Sequence, residues 1–111
     1  MEIKIPESIT YGTGYQGKGY EQIDEFFDQI IKEKIKLPIN HPNIERKIMS
    51  MYKYMHDDQL PQGAYSFDNA HLLFYKNNII ASVIETRTPF NDVHFDFFEN
   101  FKTLEKLLQN P

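Results

Sequence analysis

The sequence contains no cysteine. That absence excludes disulfides, thiolate metal sites and a cysteine nucleophile together. No apolar run approaches the roughly 18 residues that a membrane helix needs, so no membrane association is expected. The chain does not open on a charged stretch followed by an apolar core, so a secretory signal is not expected, and a cytoplasmic protein is the simplest reading. Basic charge is scarce too: 12 Lys and Arg stand against 16 Asp and Glu, for a net charge of −4. A nucleic-acid binder should carry a basic patch to neutralise phosphates, so direct binding to nucleic acid is not expected.

What is present describes a packed domain. Of 111 residues, 41% are hydrophobic and 14% aromatic. That length suits one domain with a real core, residues 1–111, and the composition excludes a disordered chain. Residues 1–5 (MEIKI) alternate apolar and polar, a strand signal that Pro6 ends. Residues 11–19 (YGTGYQGKG) hold four of the five glycines and read as a loop. The first 20 residues are thus a strand plus a glycine-rich loop.

From Glu21 onward, Ile23, Phe26, Phe27, Ile30, Ile31 and Ile35 recur at helical spacing, predicting a first helix that ends before Pro38. Asn40-His41-Pro42 resembles a helix start, with Asn as cap and Pro in the first turn. Ile44, Ile48, Met51, Tyr52 and Met55 then predict a second helix to about Asp58, followed by a loop over residues 60–70. Two β-rich runs flank Asn77-Asn78, a two-residue hairpin turn because Asn tolerates positive φ. Pairing about that turn sets Phe74 opposite Ala81 and Leu72 opposite Val83, with Leu73 and Tyr75 on the other face beside Ile80. Apolar residues on both faces make this hairpin central in its sheet. After a turn at Thr88–Asn91, Val93, Phe95 and Phe97 alternate with Asp92, His94 and Asp96 in a further strand. A last helix from about Phe98 aligns Phe101, Leu104, Leu107 and Leu108. Residues 21–111 therefore read as helix, helix, hairpin, strand, helix. The fold class is α+β: a small, mostly antiparallel sheet with a central hairpin and helices packed on one face.

No motif carries catalysis. Gly12-Thr-Gly14-Tyr-Gln-Gly17 matches G-x-G-x-x-G formally, but no βαβ unit frames it and the acids that follow would repel phosphates. His41, His56, His71 and His94 lack metal-ligand spacing, and His56-Asp57-Asp58 and His94-x-Asp96 each fall short of a full set. They read as surface or capping histidines. Ser50, Ser66 and Ser82 lie in no nucleophile elbow. No cofactor and no metal are expected, and an enzyme centred on His94 and Asp96 is the weakest reading.

The feature left over is charge. Glu21, Asp24, Glu25 and Asp28 open the first helix, and Lys32, Lys34 and Lys36 close it. Part of this order suits the helix dipole. Glu21 and Asp28 also fall on nearly the same face, about 10 Å apart at about 1.5 Å per residue. Asp24 and Glu25 fill the gap, so one helix edge carries a row of carboxylates near the spacing of strand phosphates, which repeat about every 3.4 Å.

The ordered stretches IDEFFDQI, RKIMSMYKYMHDD, HLLFYKNNIIASVIET and HFDFFENFKTLEKLL resemble the staphylococcal-type uracil-DNA glycosylase inhibitors, small DNA-mimic proteins borne on mobile cassettes. The resemblance spans roughly residues 20–109. It implies a non-enzymatic inhibitor that blocks the DNA-binding groove of uracil-DNA glycosylase, its protein partner, with carboxylates at the start of the first helix. On this chain the matching partner-binding residues are Glu21, Gln22, Asp24, Glu25 and Asp28, with Gln22 where the family has serine. It also implies an apolar pocket between the second helix and the sheet for the glycosylase's wedge residue, with Ile48, Met51 and Met55 as its lining. Two departures accompany it. Gly19 stands where the family has Glu, and MEIKI with the glycine loop replaces the family's N-terminal helix. The alternative reading is an immunity or antitoxin protein that caps a bacterial toxin, or another mobile-element inhibitor of a host nuclease.

Overall fold

The computed structural model describes residues 5–11, 18–50, 69–87 and 93–109. Five strands form one antiparallel sheet: β1 (Ile9–Tyr11), β2 (Ile44–Ser50), β3 (Asn69–Tyr75), β4 (Asn78–Arg87) and β5 (Val93–Glu99), in the order β1-β5-β4-β3-β2. Helix α1 (Lys18–Ile30) runs into one wide π-helical turn over Ile31–Ile35, and α2 (Phe101–Gln109) closes the described chain. The architecture is the expected small α+β fold, with the β3–β4 hairpin inside the sheet.

Periodicity explains α1. Ile23, Phe26, Phe27, Ile30, Ile31 and Ile35 are all buried, and they pack on Leu73, Tyr75, Ala81, Val83, Val93, Phe95 and Phe97 of the sheet. The widened last turn bonds the Lys36 amide to the Ile31 carbonyl at 2.7 Å, and Lys36 ends it in the left-handed region at φ 60°. Burying each of these large side chains contributes about 1.5–3 kcal/mol, so tertiary packing rather than propensity holds the helix. Helix α2 adds Leu104, fully buried in the same cluster, with Phe101 and Leu107 packed against it. The Glu99 carboxylate accepts the Phe101 amide at its start. Both helices therefore lie on one face. The other face carries a smaller cluster of Ala70, Leu72 and Ile84, flanked by Met49, Phe74 and Ile79.

Several expectations need correction. The segment expected as a second helix is a strand over Ile44–Ser50, in register with β3 from Ile44↔Tyr75 to Ser50↔Asn69. Ile44 and Ile48 misled because residues four apart share a face at a period of 3.6 and at a period of 2 alike. Asn40-His41-Pro42 is a turn: the His41 amide bonds to Pro38 O, the Ile44 amide bonds to His41 O, and the Asn43 amide donates to His41 Nδ1 at 3.1 Å. Residues 51–58 of that expected helix lie outside the described residues.

The first described strand, Ile9–Tyr11, follows Pro6 and pairs with β5 through Ile9↔Phe95 and Tyr11↔Val93, while residues 1–4 of the strand expected over residues 1–5 lie outside the described residues. Residues 12–17 of the glycine loop lie outside the described residues, while Tyr11 belongs to β1, and Lys18 and Gly19 to α1. The hairpin turn is Lys76-Asn77, with φ of 49° and 66°, one residue earlier than expected. Positive φ at both positions is what a turn twisting with its strands requires. Tyr75 pairs with Asn78 and Phe74 with Ile79, then a bulge resets the register to Leu73↔Ala81 and Leu72↔Ser82. Ile80 and Ala81 both join the core on the helix side, the local effect of an extra residue in one strand. Finally, Phe98 belongs to β5 and is 45% exposed, so α2 begins at Phe101.

Gly19 fixes how closely α1 approaches the sheet. It is buried, and a Cβ built there would overlap the ring of Phe95, itself fully buried. Gly19→Ala should gain up to about 1 kcal/mol of helix propensity yet lose about 1–3 kcal/mol to overpacking. Its urea midpoint should therefore lie below wild type; a raised midpoint would show that α1 has room to move outward.

Candidate protein-binding face

The packing of α1 decides where its charges point. With Ile23, Phe26, Phe27 and Ile30 against the sheet, Glu21, Asp24 and Glu25 are exposed and Asp28 half-buried on the opposite edge. All four expected carboxylates thus share one edge of the helix, and with Gln29, Lys32 and Glu33, Glu25 and Asp28 line a shallow open depression there. Gln22 lies to the side and donates from Nε2 to the Tyr11 hydroxyl at 3.0 Å, which ties α1 to β1.

The row is not uniformly free. Arg46 of β2 donates from Nη2 to Asp24 Oδ1 at 2.6 Å and approaches Asp28 Oδ1 at 4.0 Å, with its guanidinium 5.0 Å over the Phe27 ring. Asp24 and Asp28 are one helical turn apart, so one cation serves both. These side chains are well exposed, and such pairs contribute at most about 1 kcal/mol. Glu21 and Glu25 have no ion pair among the described residues. Four carboxylates against one guanidinium leave the edge acidic, with its free charge at Glu21 and Glu25.

Of the three residues expected to line an apolar pocket, Ile48 alone lies among the described residues. Ile48 is on strand β2 and 68% exposed, not on a helix wall facing the sheet. Met51 and Met55 lie outside the described residues. So do Gly12–Gly17, His56 and Ser66.

Two polar clusters take shape in the fold, and of their contacts only the pairing of His94 with Asp96 was visible in the sequence. Under the first turn of α1, the Tyr20 hydroxyl donates to Glu85 Oε1 at 3.1 Å and Oε2 at 3.0 Å, while His71 Nε2 meets Oε1 at 2.8 Å. His71 and Glu85 are each 4% exposed, so this histidine is neither a surface nor a capping residue. Burial alone would raise the Glu85 carboxyl, but the hydrogen bonds from His71 and Tyr20, the His71 charge and a bond from Asn69 outweigh it. The net effect holds Glu85 below the ordinary 4.5. A charge this buried persists only because its hydrogen bonds are made. The second cluster ties β1 to β5 on the outer face: Thr10 Oγ1 lies 2.7 Å from His94 Nδ1, and His94 Nε2 lies 3.0 Å from Asp96 Oδ1.

The sign of the pH dependence follows from Glu85. A carboxylate with a depressed folded value stabilises fully above its unfolded value and loses that contribution as pH falls through the folded one. Glu85→Gln should cost about 1–3 kcal/mol near neutrality, measured by urea unfolding. The gap to wild type should narrow below about pH 4.5. A gap independent of pH over that range would mean that Glu85 is held for its shape alone.

No protein-family model, no curated protein and no solved structure matches this chain.

Proposed function

We propose that this chain is a non-enzymatic inhibitor that offers the acidic edge of α1 to the basic groove of a DNA-binding enzyme, with uracil-DNA glycosylase as the target that its sequence resemblance names. The observation that carries this reading is the disposition of Glu21, Asp24, Glu25 and Asp28 along one solvent-facing helix edge, opposite the buried stripe. A row of carboxylates on a rigid helix can replace phosphates without any base to read, which is what a groove built for backbone contacts accepts. Arg46 tunes rather than cancels the row, since it engages Asp24 and Asp28 and leaves Glu21 and Glu25 outward. With Ile48 exposed on an edge strand, the wedge-residue pocket of the resemblance has no support here, and the acidic edge carries the reading alone.

Gly19 bears on the departure from that family. Its position is filled by the Phe95 ring, so the glutamate that the family places there has no room on this scaffold. The acidic row accordingly starts at Glu21.

Uracil excision from a labelled duplex tests the proposal. Added chain should stop excision, and inhibition should weaken steeply as salt shortens the screening length from about 10 Å at 0.1 M to about 3 Å at 1 M. Glu21→Lys with Glu25→Lys should abolish inhibition while leaving the melting temperature nearly unchanged, because both side chains are exposed and neither forms an ion pair among the described residues. Reversing opposed interface charges typically costs several kcal/mol of binding. A double variant that still inhibits at full strength would return the acids to the helix dipole, worth only about 0.3–1 kcal/mol each.

A further inference from the structure

We infer that β2 is a self-pairing edge, and that two copies of this chain associate through it as an antiparallel, two-fold dimer. Among the described residues β2 pairs on one side only, with β3, and it ends the sheet. Such an edge presents a row of unpaired amides and carbonyls, a template for another strand. Charged residues on an edge usually keep sheets apart, so the order of the charges decides what this edge does.

The segment Ile44-Glu45-Arg46-Lys47-Ile48 is self-complementary about Arg46. Laid antiparallel on a second copy, Glu45 falls opposite Lys47 and Ile44 opposite Ile48, each pair occurring twice. Opposite charges directly across two strands attract, and like charges there oppose pairing. Glu45 and Lys47 both point away from α1 and already lie 3.5 Å apart within one chain, about half exposed. Dimerisation exchanges the two exposed intrachain pairs, one in each copy, for two across the interface. On the helix side, Ile48, 68% exposed in the single chain, gains cover from Ile44 of the second copy.

The central Arg46 pair is the one unfavourable contact. Each Arg46 already holds Asp24 at 2.6 Å and Asp28 at 4.0 Å, so four carboxylates accompany the two guanidiniums. Neighbouring registers are worse. A shift of two residues one way sets Glu45 against Glu45, and the other way sets Lys47 against Lys47. The two-fold arrangement is isologous and closes on itself, so it yields a dimer rather than a growing sheet.

Sedimentation equilibrium of the full chain and its charge variants tests this, and its readout is mass, independent of glycosylase inhibition. The wild-type mass should rise with concentration from 13.2 kDa toward twice that value. Glu45→Lys and Lys47→Glu should each remain at the single-chain mass, because each sets like charges opposite one another. An equimolar mixture of the two should regain association, since each variant supplies the sign the other lacks. That recovery also shows that both are folded. The double reversal, Glu45→Lys with Lys47→Glu, should associate as wild type does. A wild-type mass fixed at 13.2 kDa at every concentration, single variants that associate as wild type, or a mixture that fails to recover each overturns the proposal.

Discussion

Everything in this molecule that bears on function depends on how α1 is seated. Ile23, Phe26, Phe27, Ile30 and Ile31 bury one stripe of the helix against the sheet, and Gly19 lets its first turn rest directly on Phe95. Seating fixes roll, and roll fixes which side chains face water. A helix rotated by a quarter turn would drive Asp24 toward the core and lift Phe26 out. The cost of an unpaired buried charge forbids that by several kcal/mol.

The polar contacts around α1 pin the seated helix at three points. Tyr20 reaches Glu85 on β4, Gln22 reaches Tyr11 on β1, and Asp24 receives Arg46 from β2. These strands include both edges of the sheet, so the helix bridges its full width. Of the three, the Tyr20 contact reaches a buried charge, where a hydrogen bond is worth most. The exposed Arg46 contact contributes less to stability and more to the pattern of charge along the outer edge of α1.

Some of this was legible in the sequence, for physical reasons. The stripe of α1 repeats unambiguously over several turns, and Val93, Phe95 and Phe97 alternate strictly, so each period excludes the other. Strand β2 was illegible because Ile44 and Ile48 share a face under both periods; spacings of three or seven residues, as from Ile48 or Ile44 to Met51, separate the two, and Met51 lies outside the described residues. The Tyr20–Glu85–His71 cluster was hidden by register. The expected turn at Asn77-Asn78 would set Glu85 opposite Ala70, on the face away from His71. The turn at Lys76-Asn77 and the bulge beyond it set Glu85 opposite Asn69, on the same face as His71. A bulge has no sequence signal of its own here. The role of Arg46 was equally hidden, because its partner lies 22 residues away in the chain.

The carboxylate row was legible as a row, since helical spacing alone aligns Glu21, Asp24, Glu25 and Asp28, and the seated helix turns that row to solvent. The claim that it stands in for a DNA backbone predicts that chain and duplex compete for one groove. Fluorescence anisotropy of a labelled duplex held on a uracil-DNA glycosylase measures this directly. Added chain should displace the duplex completely, with one chain per enzyme. A ternary complex, in which anisotropy rises further as enzyme, duplex and chain remain together, would contradict it.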